Sequence, residues 1–292
     1  MTTDGSGLKV SVITVCLNAE DLIERTLRSV VDQTYPDIEY IVVDGGSKDK
    51  TLDIVKRYSE HIDVIVSEPD RGIYDAMNKG VRLATGEVVY FLNAGDYFHD
   101  SLVVSKVVEA FSRCKDCDIL EGDIIWYGEK GQSYKSTQRR SVIGLVQRGV
   151  LHQAVFAKKE LFDKYGLFDE SFQVYGDLDW FVRCLLVGGA KVGHIDIPIS
   201  YYLVGGASGT NRKRRFYEKT RIYDRYCSMG MILRHAGDGP LEALALLGMR
   251  AYYRLRLFLG GPKANGGQTR GRRNFSNPAG ATSRAMEDQT GR

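Results

Sequence analysis

The apolar positions of the chain change period several times, and each change marks an element. Val10-Ser11-Val12-Ile13-Thr14-Val15-Cys16 is a β-branched run that stops at Leu17-Asn18, as a strand does at a turn. Leu22, Ile23, Leu27, Val30 and Val31 then recur at helical spacing, which predicts a helix from about Glu20 to Gln33, closed by Tyr35-Pro36-Asp37. A second strand runs from Ile38 to Asp44 and breaks at Gly45-Gly46-Ser47. Asp49-Lys50-Thr51 opens a second helix to about Ser59, with acidic Asp49 near its positive end. A short strand from His61 to Val66, a loop from Ser67 to Gly72 and a helix from Ile73 to Ala84 follow. Val88 to Leu92, apolar throughout, reads as a strand buried on both faces.

Strands alternating with helices predict an α/β fold with a mostly parallel central sheet flanked by helices. Three strands end in polar turn formers: Leu17-Asn18, Asp44-Gly45-Gly46-Ser47 and Asn93-Ala94-Gly95-Asp96. Open α/β sheets bind ligands at that edge, so the coincidence points to a nucleotide-sized cleft. Asn93 and Asp96 place two oxygen-bearing side chains three apart there. Mg²⁺ or Mn²⁺, which takes few carboxylates and completes its shell with phosphate and water, suits such a turn. A plain strand terminator would read the same way. No Gly-x-Gly-x-x-Gly follows the first strand and no Gly-Lys-Ser/Thr loop occurs, which argues against dinucleotide and P-loop sites.

The second half is less regular. Asp100 to Ser112 reads as helix, Cys117 to Trp126 contains a strand, and Tyr127 to Arg140 suits a hairpin. A helix opens at Tyr175-Gly176-Asp177-Leu178-Asp179 and runs to about Val187. Lys191 to Ile197 and Ile199 to Val204 read as two strands separated by Pro198. A Gly-rich loop from Gly205 to Gly209 precedes a basic helix from about Asn211, and Leu241 to Leu259 predicts a last helix.

Composition changes this picture only at the ends. The 292 residues are 43% hydrophobic and 26% charged, enough for one large domain with appendages. We divide the chain into an extension over 1–8, a main domain over 9–209, a helical segment over 210–259 and a tail over 260–292. The tail is rich in Gly, Arg, Ser and Asn and is expected to be disordered. A net charge of +3 from nearly balanced totals makes no case for nucleic acid. Of five cysteines, Cys114 and Cys117 have Cys-x-x-Cys spacing without a second pair, and a helix end followed by a strand start accounts for them. Neither a signal peptide nor an apolar run of roughly 18 residues is found, so a cytoplasmic protein is expected.

Five segments follow one another in a telling order. They are Val12 to Asn18, Val42-Val43-Asp44-Gly45-Gly46-Ser47-Lys48-Asp49-Lys50-Thr51, Asp70-Arg71-Gly72-Ile73-Tyr74-Asp75-Ala76-Met77-Asn78-Lys79-Gly80, Asn93-Ala94-Gly95-Asp96, and Gly176-Asp177-Leu178-Asp179 through Arg183. Together they resemble the inverting family 2 glycosyltransferases of the GT-A fold, over roughly Lys9 to Gly209. The nearest likeness is to bacterial members that build exopolysaccharides, O-antigens or glycolipids. The resemblance implies hexosyl transfer from a nucleotide-diphosphate donor, a UDP-sugar being favoured, to a hydroxyl of a lipid-linked glycan or glycolipid. It implies Mg²⁺ or Mn²⁺ at Asp96 and Asp177 as general base. Asn18, Asp44, Arg71, Asp75, Asn78, Asn93 and Asp96 would line the donor. His152, Gln153, Asp179 and Arg212 would fall near the acceptor or the diphosphate.

The residues themselves leave alternatives open. Asp177 could cap a helix, and either Asp177 or Asp179 could be the base. Asp75 and Asn78, three apart on one helix face, could touch sugar hydroxyls or brace their loop. His152 could be structural, and Arg212 to Arg215 a solvated face. The Leu241 to Leu259 helix could pack on the domain or lie on an anionic membrane, at the inner face of the plasma membrane. Two departures stand out: Gly45 replaces a second aspartate of the base loop, and Asn93 replaces the first aspartate of the metal motif. They also suit a different class, a sugar-nucleotide-binding protein that kept the fold and lost the chemistry. A nucleotidyltransferase is disfavoured, since Leu17-Asn18-Ala19-Glu20 offers no Gly-rich triphosphate loop.

Overall fold

A computed structural model describes residues 7–114, 116–128, 131–135, 144, 149, 151–205, 212–234 and 240–258. The tail expected over 260–292 lies outside them. Strands β1 (Val10–Cys16), β2 (Ile38–Asp44), β3 (Val64–Ser67) and β4 (Val88–Phe91) lie in the order β3-β2-β1-β4, all parallel. Helices α1 (Ile23–Val31), α2 (Thr51–Arg57) and α3 (Ile73–Leu83) connect them. All seven residues of β1 are buried, because alternate side chains enter two different cores. Ile13 and Val15 pack with Tyr74, Met77 and Val81 of α3, while Val10, Val12 and Cys16 pack with Ile23, Leu27 and Val30 of α1. Each such aliphatic side chain contributes roughly 1.5–3 kcal/mol by burial.

Beyond β4 the sheet changes character. β8 (Val155–Lys158) pairs antiparallel with β4 and with β6 (Ile119–Gly128), and β9 (Val192–Leu203) runs parallel to β6. β5 (Tyr97–Phe98) closes the far edge on β9, and β7 (Gly131–Lys135) pairs with β6. The parallel expectation therefore holds for the first half, and the second half makes the sheet mixed. Helix α4 (Val103–Arg113) precedes β6, and α5 (Glu160–Tyr165) follows β8. Helix α6 (Gly176–Val182) continues as a π-turn over Arg183–Val187. Helices α7 (Arg212–Tyr226), α8 (Met229–Arg234) and α9 (Pro240–Phe258) end the described chain.

Two expectations are corrected. Pro198 does not divide two strands: β9 is continuous, and Pro198 sits opposite Asp123 where the β6–β9 register shifts. A proline is tolerated at such an irregularity because the ladder is already interrupted there. Cys114 and Cys117 are joined as a disulfide rather than merely flanking a helix end. The link closes a loop of only three residues of separation, so it constrains little of the unfolded chain.

The start of β2 shows how this half handles a buried charge. Glu39, 6% exposed, accepts hydrogen bonds from Ser11 Oγ (2.6 Å), the Thr85 amide (2.7 Å) and Lys9 Nζ (3.2 Å). Burial alone would raise its pKa, but these bonds outweigh it and bring the carboxyl down to about 2. Among the described residues no helix is long and apolar enough to cross a membrane.

Candidate active site

β4 and β8 are antiparallel neighbours with Tyr90 opposite Phe156, so the turn after β4 faces the 3₁₀ turn His152–Ala154 that leads into β8. That register brings Asn93 to His152: Asn93 Nδ2 lies 3.0 Å from His152 Nε2. On its other side, His152 Nδ1 lies 3.0 Å from Asp177 Oδ2, at the first turn of α6. The amide Nδ2 can only donate, so this network makes Nε2 the acceptor and puts the imidazole proton on Nδ1, donated to Asp177. Three residues from distant parts of the chain form one hydrogen-bonded line.

Asp177 is held from below as well. Its Oδ1 accepts from the Leu178 amide (2.8 Å) and shares the single Tyr74 hydroxyl proton (3.2 Å) with Val174 O (2.9 Å). Tyr74 can reach only because Gly176 has no side chain: a Cβ there would stand 2.8 Å from the Tyr74 ring. The bend leading into α6 is tied down by Glu218 of α7, whose carboxylate accepts from the amides of Gln173, Val174 and Tyr175, each at 2.9 Å. Buried Glu218 is thus a positioning residue for the whole α6 entry. Sequence reasoning missed both Tyr74 and Glu218. Tyr74 lay inside a singled-out segment without a role, and Glu218 was hidden by the basic run around it.

Asp96 is buried, with Oδ1 accepting from the Leu203 amide at 2.9 Å. Burial raises its pKa to about 6, while Leu203, His152 and Gln153 act to lower it. Three residues away, Asn93 Oδ1 is buried with no hydrogen-bond partner. An orphaned amide oxygen on the same turn as a buried carboxylate offers the oxygen ligands a hard cation takes. The described residues hold no group of three or more His, Cys, Asp and Glu able to grip a metal alone. The fit is therefore to Mg²⁺ or Mn²⁺ completed by phosphate and water oxygens.

The donor-side residues divide. Asn18, at φ 48, accepts from the Lys48 amide through Oδ1 (2.8 Å) and donates from its own amide to Ser47 Oγ (2.8 Å), which clips the β1 turn to the β2 loop. Asp44 is wholly buried and takes Ser67 Oγ (2.7 Å) and the amides of Gly46 (3.2 Å) and Ser47 (3.1 Å). Its carboxylate shapes the loop backbone rather than facing the cleft. Asp75, 5% exposed, accepts from the Arg71 amide (3.0 Å) and pairs with the exposed Arg71 guanidinium (3.2 Å), which also pairs with Glu170.

Asn78 and Asp179 need correction. Asn78 is 1% exposed; both its N–H donors go to Phe168 O (3.0 Å) and Glu170 (3.1 Å) and its Oδ1 accepts from the Phe168 amide (2.9 Å), so it braces a loop and is covered from the cleft. Asp179 is wholly buried between Arg183 (3.1 Å) and Arg225 (3.2 Å), which enclose its carboxylate. Gln153 sits with Asp96, and its carbonyl accepts from Tyr90 Oη (2.7 Å) and Ser200 Oγ (2.6 Å). The Arg212 side chain lies outside the described residues.

Beside α6, a cavity of about 600 Å³ opens between α7 and α9. Lys213, Arg215, Lys219 and Arg256 line it with the rings of Tyr175, Phe216 and Tyr253, and among the described residues no carboxylate does. Burial, with Arg215 nearby, lowers the Lys219 pKa. On α9, Leu241, Leu244, Leu255 and Phe258 are exposed at 58–87%.

Comparison with known proteins shows the family and the fold. The family model "Glycosyl transferase family 2" matches residues 11–167. A PGL/p-HBAD biosynthesis glycosyltransferase of Mycobacterium bovis is 30% identical over 222 residues, covering 74% of this chain and 85% of that protein. The S. aureus TarS fragment 1–349 solved with UDP superposes with a TM-score of 0.65 at 21% identity, over 86% of this chain and 72% of that one. A mannosyltransferase of Pyrobaculum calidifontis, solved with GDP-Man and Mn²⁺, gives 0.58 at 18% identity over 88% and 80%. These likenesses place the mixed sheet and its helices in the GT-A fold.

Proposed function

The chain belongs to glycosyltransferase family 2 and is a glycosyltransferase of bacterial glycan biosynthesis; from that premise we propose an inverting transfer from a UDP-sugar to an acceptor hydroxyl, with Asp177 as general base. The observation that carries this reading is the Asn93–His152–Asp177 line. It fixes one carboxylate, 13% exposed, beside the sheet edge where the donor loops converge. Asp177 takes the acceptor's proton as the acceptor oxygen bonds the anomeric carbon; the bond to the diphosphate breaks on the opposite face, and its electron pair leaves with the phosphate. His152 donates to Oδ2 and keeps the carboxylate aimed while a lone pair stays open to the acceptor. Asn93 Oδ1 and Asp96 would hold Mg²⁺ or Mn²⁺ together with the donor phosphates. That cation would supply charge stabilisation for the leaving diphosphate.

The UDP assignment draws on TarS having been solved with UDP and with UDP-GlcNAc. The acceptor we infer is lipid-linked. The basic, aromatic-walled cavity starts two residues before Asp177 and suits an anionic group with an apolar arm. The exposed leucines of α9, with Arg254 and Arg256, would rest on an anionic membrane surface. A panel of nucleotide sugars incubated with Mn²⁺ and lipid-phosphate acceptors tests the chemistry. Metal-dependent UDP release that rises with acceptor is expected; tight UDP-sugar binding without any turnover would instead identify a binding protein. Flotation with anionic vesicles tests the surface, and no retention at moderate salt would remove the membrane role.

A further inference from the structure

Asn93 and Asp96 reach the cleft as side chains of one turn, so where they stand depends on what holds its backbone. The Asp96 amide closes the turn on Asn93 O (2.9 Å), and the Ala94 amide ties it to Val15 O of β1 (3.1 Å). Between the two, Gly95 sits at φ 102, a conformation that side chains rarely adopt. Its amide and the next carbonyl meet a single group from α1. Thr26 Oγ1, wholly buried, accepts from the Gly95 amide (3.0 Å) and donates to Asp96 O (2.7 Å). The Gly95 carbonyl accepts from Tyr127 Oη of β6. Tyr127 is the register partner of Leu203, whose amide holds the Asp96 carboxylate.

Ser and Thr within a helix often spend the hydroxyl proton on a carbonyl of the preceding turn. Ser29 does so, on Thr26 O (2.8 Å). Thr26 instead sends its proton across 70 residues of chain to the turn after β4. A buried hydroxyl costs free energy unless it is bonded, and both of these Thr26 bonds go to the residues between and including the two ligands.

We propose that Thr26 and Tyr127 are positioning residues for the cation platform: by fixing the peptide groups of Gly95 and Asp96 they set the distance between Asn93 Oδ1 and the Asp96 carboxylate. This rests on the nucleotide-sugar and cation reading above and adds the groups that build the platform. A hard cation shared between two protein oxygens and a diphosphate tolerates little drift in either oxygen, so a turn released on its outer side binds the ion less well.

Titration of the full chain with Mn²⁺ in the presence of UDP, read by electron paramagnetic resonance against a protein-free blank, tests this. Thr26→Val keeps the shape and removes both bonds. Its Mn²⁺ affinity should fall about ten- to hundredfold, the range for losing a partner that orients a metal ligand. Thr26→Ser keeps the hydroxyl and should return to near the wild-type value. Tyr127→Phe keeps the ring against Tyr97 and should lose affinity in the same direction by less, which also carries the test should Thr26→Val not fold. Ser29→Ala is the structural control. It frees the Phe98 amide, two residues past the turn, and should lower the melting temperature while Mn²⁺ affinity stays within twofold. Folded Thr26→Val or Tyr127→Phe within twofold of wild type would overturn the role of that residue and leave the transfer reading standing. An equal loss in Ser29→Ala would overturn both roles, since any loosening of the segment would then suffice. Failure of wild type to bind Mn²⁺ with UDP would overturn the cation reading itself.

Discussion

Asp177 and Asp179 leave α6 on different faces, two residues apart, and meet different surroundings. Asp177 is 13% exposed, touched by His152, Tyr74 and the Leu178 amide, with no Lys or Arg within ion-pair reach among the described residues. Asp179 is wholly buried and enclosed by Arg183 and Arg225, and Arg183 extends the clamp to the carbonyls of Tyr165 and Leu167. Burial raises the Asp179 pKa even though both arginines act to lower it. The difference teaches what a reactive carboxylate requires. It must keep a lone pair open toward the cleft and must not be neutralised by a fixed guanidinium, whereas a structural one is safest when surrounded.

The comparison can be broken by exchanging neutral groups on each face. Asp177→Asn should lower kcat by about 10²–10⁴-fold, the range of a lost general base, while UDP affinity and thermal midpoint stay close to wild type. Near-normal turnover would mean that the base lies elsewhere. Asp179→Ala should do the reverse. It strands Arg183 and should cost about 3–5 kcal/mol of stability, read from urea unfolding, with kcat per folded molecule little changed.

A third carboxylate sharpens the contrast by being structural on a different element. Glu39 has its pKa depressed to about 2 in the folded chain. A depressed acid stabilises above its unfolded pKa and loses that contribution as pH falls through the folded value. About 2–3 kcal/mol should therefore be present above pH ~4.5 and vanish toward pH ~2. In Glu39→Gln, urea midpoints between pH 2 and 6 should lack that slope, while activity at neutral pH persists in the folded fraction. The smallest effect falls between the faces: His152→Gln can still donate to Asp177 but holds it less firmly. A loss of kcat of roughly 10–100-fold with little change in donor KM is expected for a positioning residue, and steady-state kinetics decides it.

Much of the first half was legible because its signals are local. β-branched runs, helical spacing and turn residues predicted β1 to β4 and α1 to α3 within a few residues, since each depends on neighbours in the chain. The second half was harder. Pro198 was read as a break because a bulge is set by the partner strand, and β5, two residues long, carries no periodicity to find. Asn93, Asp96, His152 and Asp177 were named from the chain, yet their grouping follows from the antiparallel β4–β8 pairing, which no local pattern specifies.

By itself, the sequence determined the α/β alternation, the polar strand ends on one edge, and the family to which the chain belongs. Those follow from short-range preferences and motif order. Only the tertiary structure separated Asp177 from Asp179 and turned Asn78 into a brace. The physical reason is reach. Tyr74 meets Asp177 across 103 residues and Glu218 meets Tyr175 across 43, and whether a carboxylate is open or enclosed depends on which distant side chain arrives beside it.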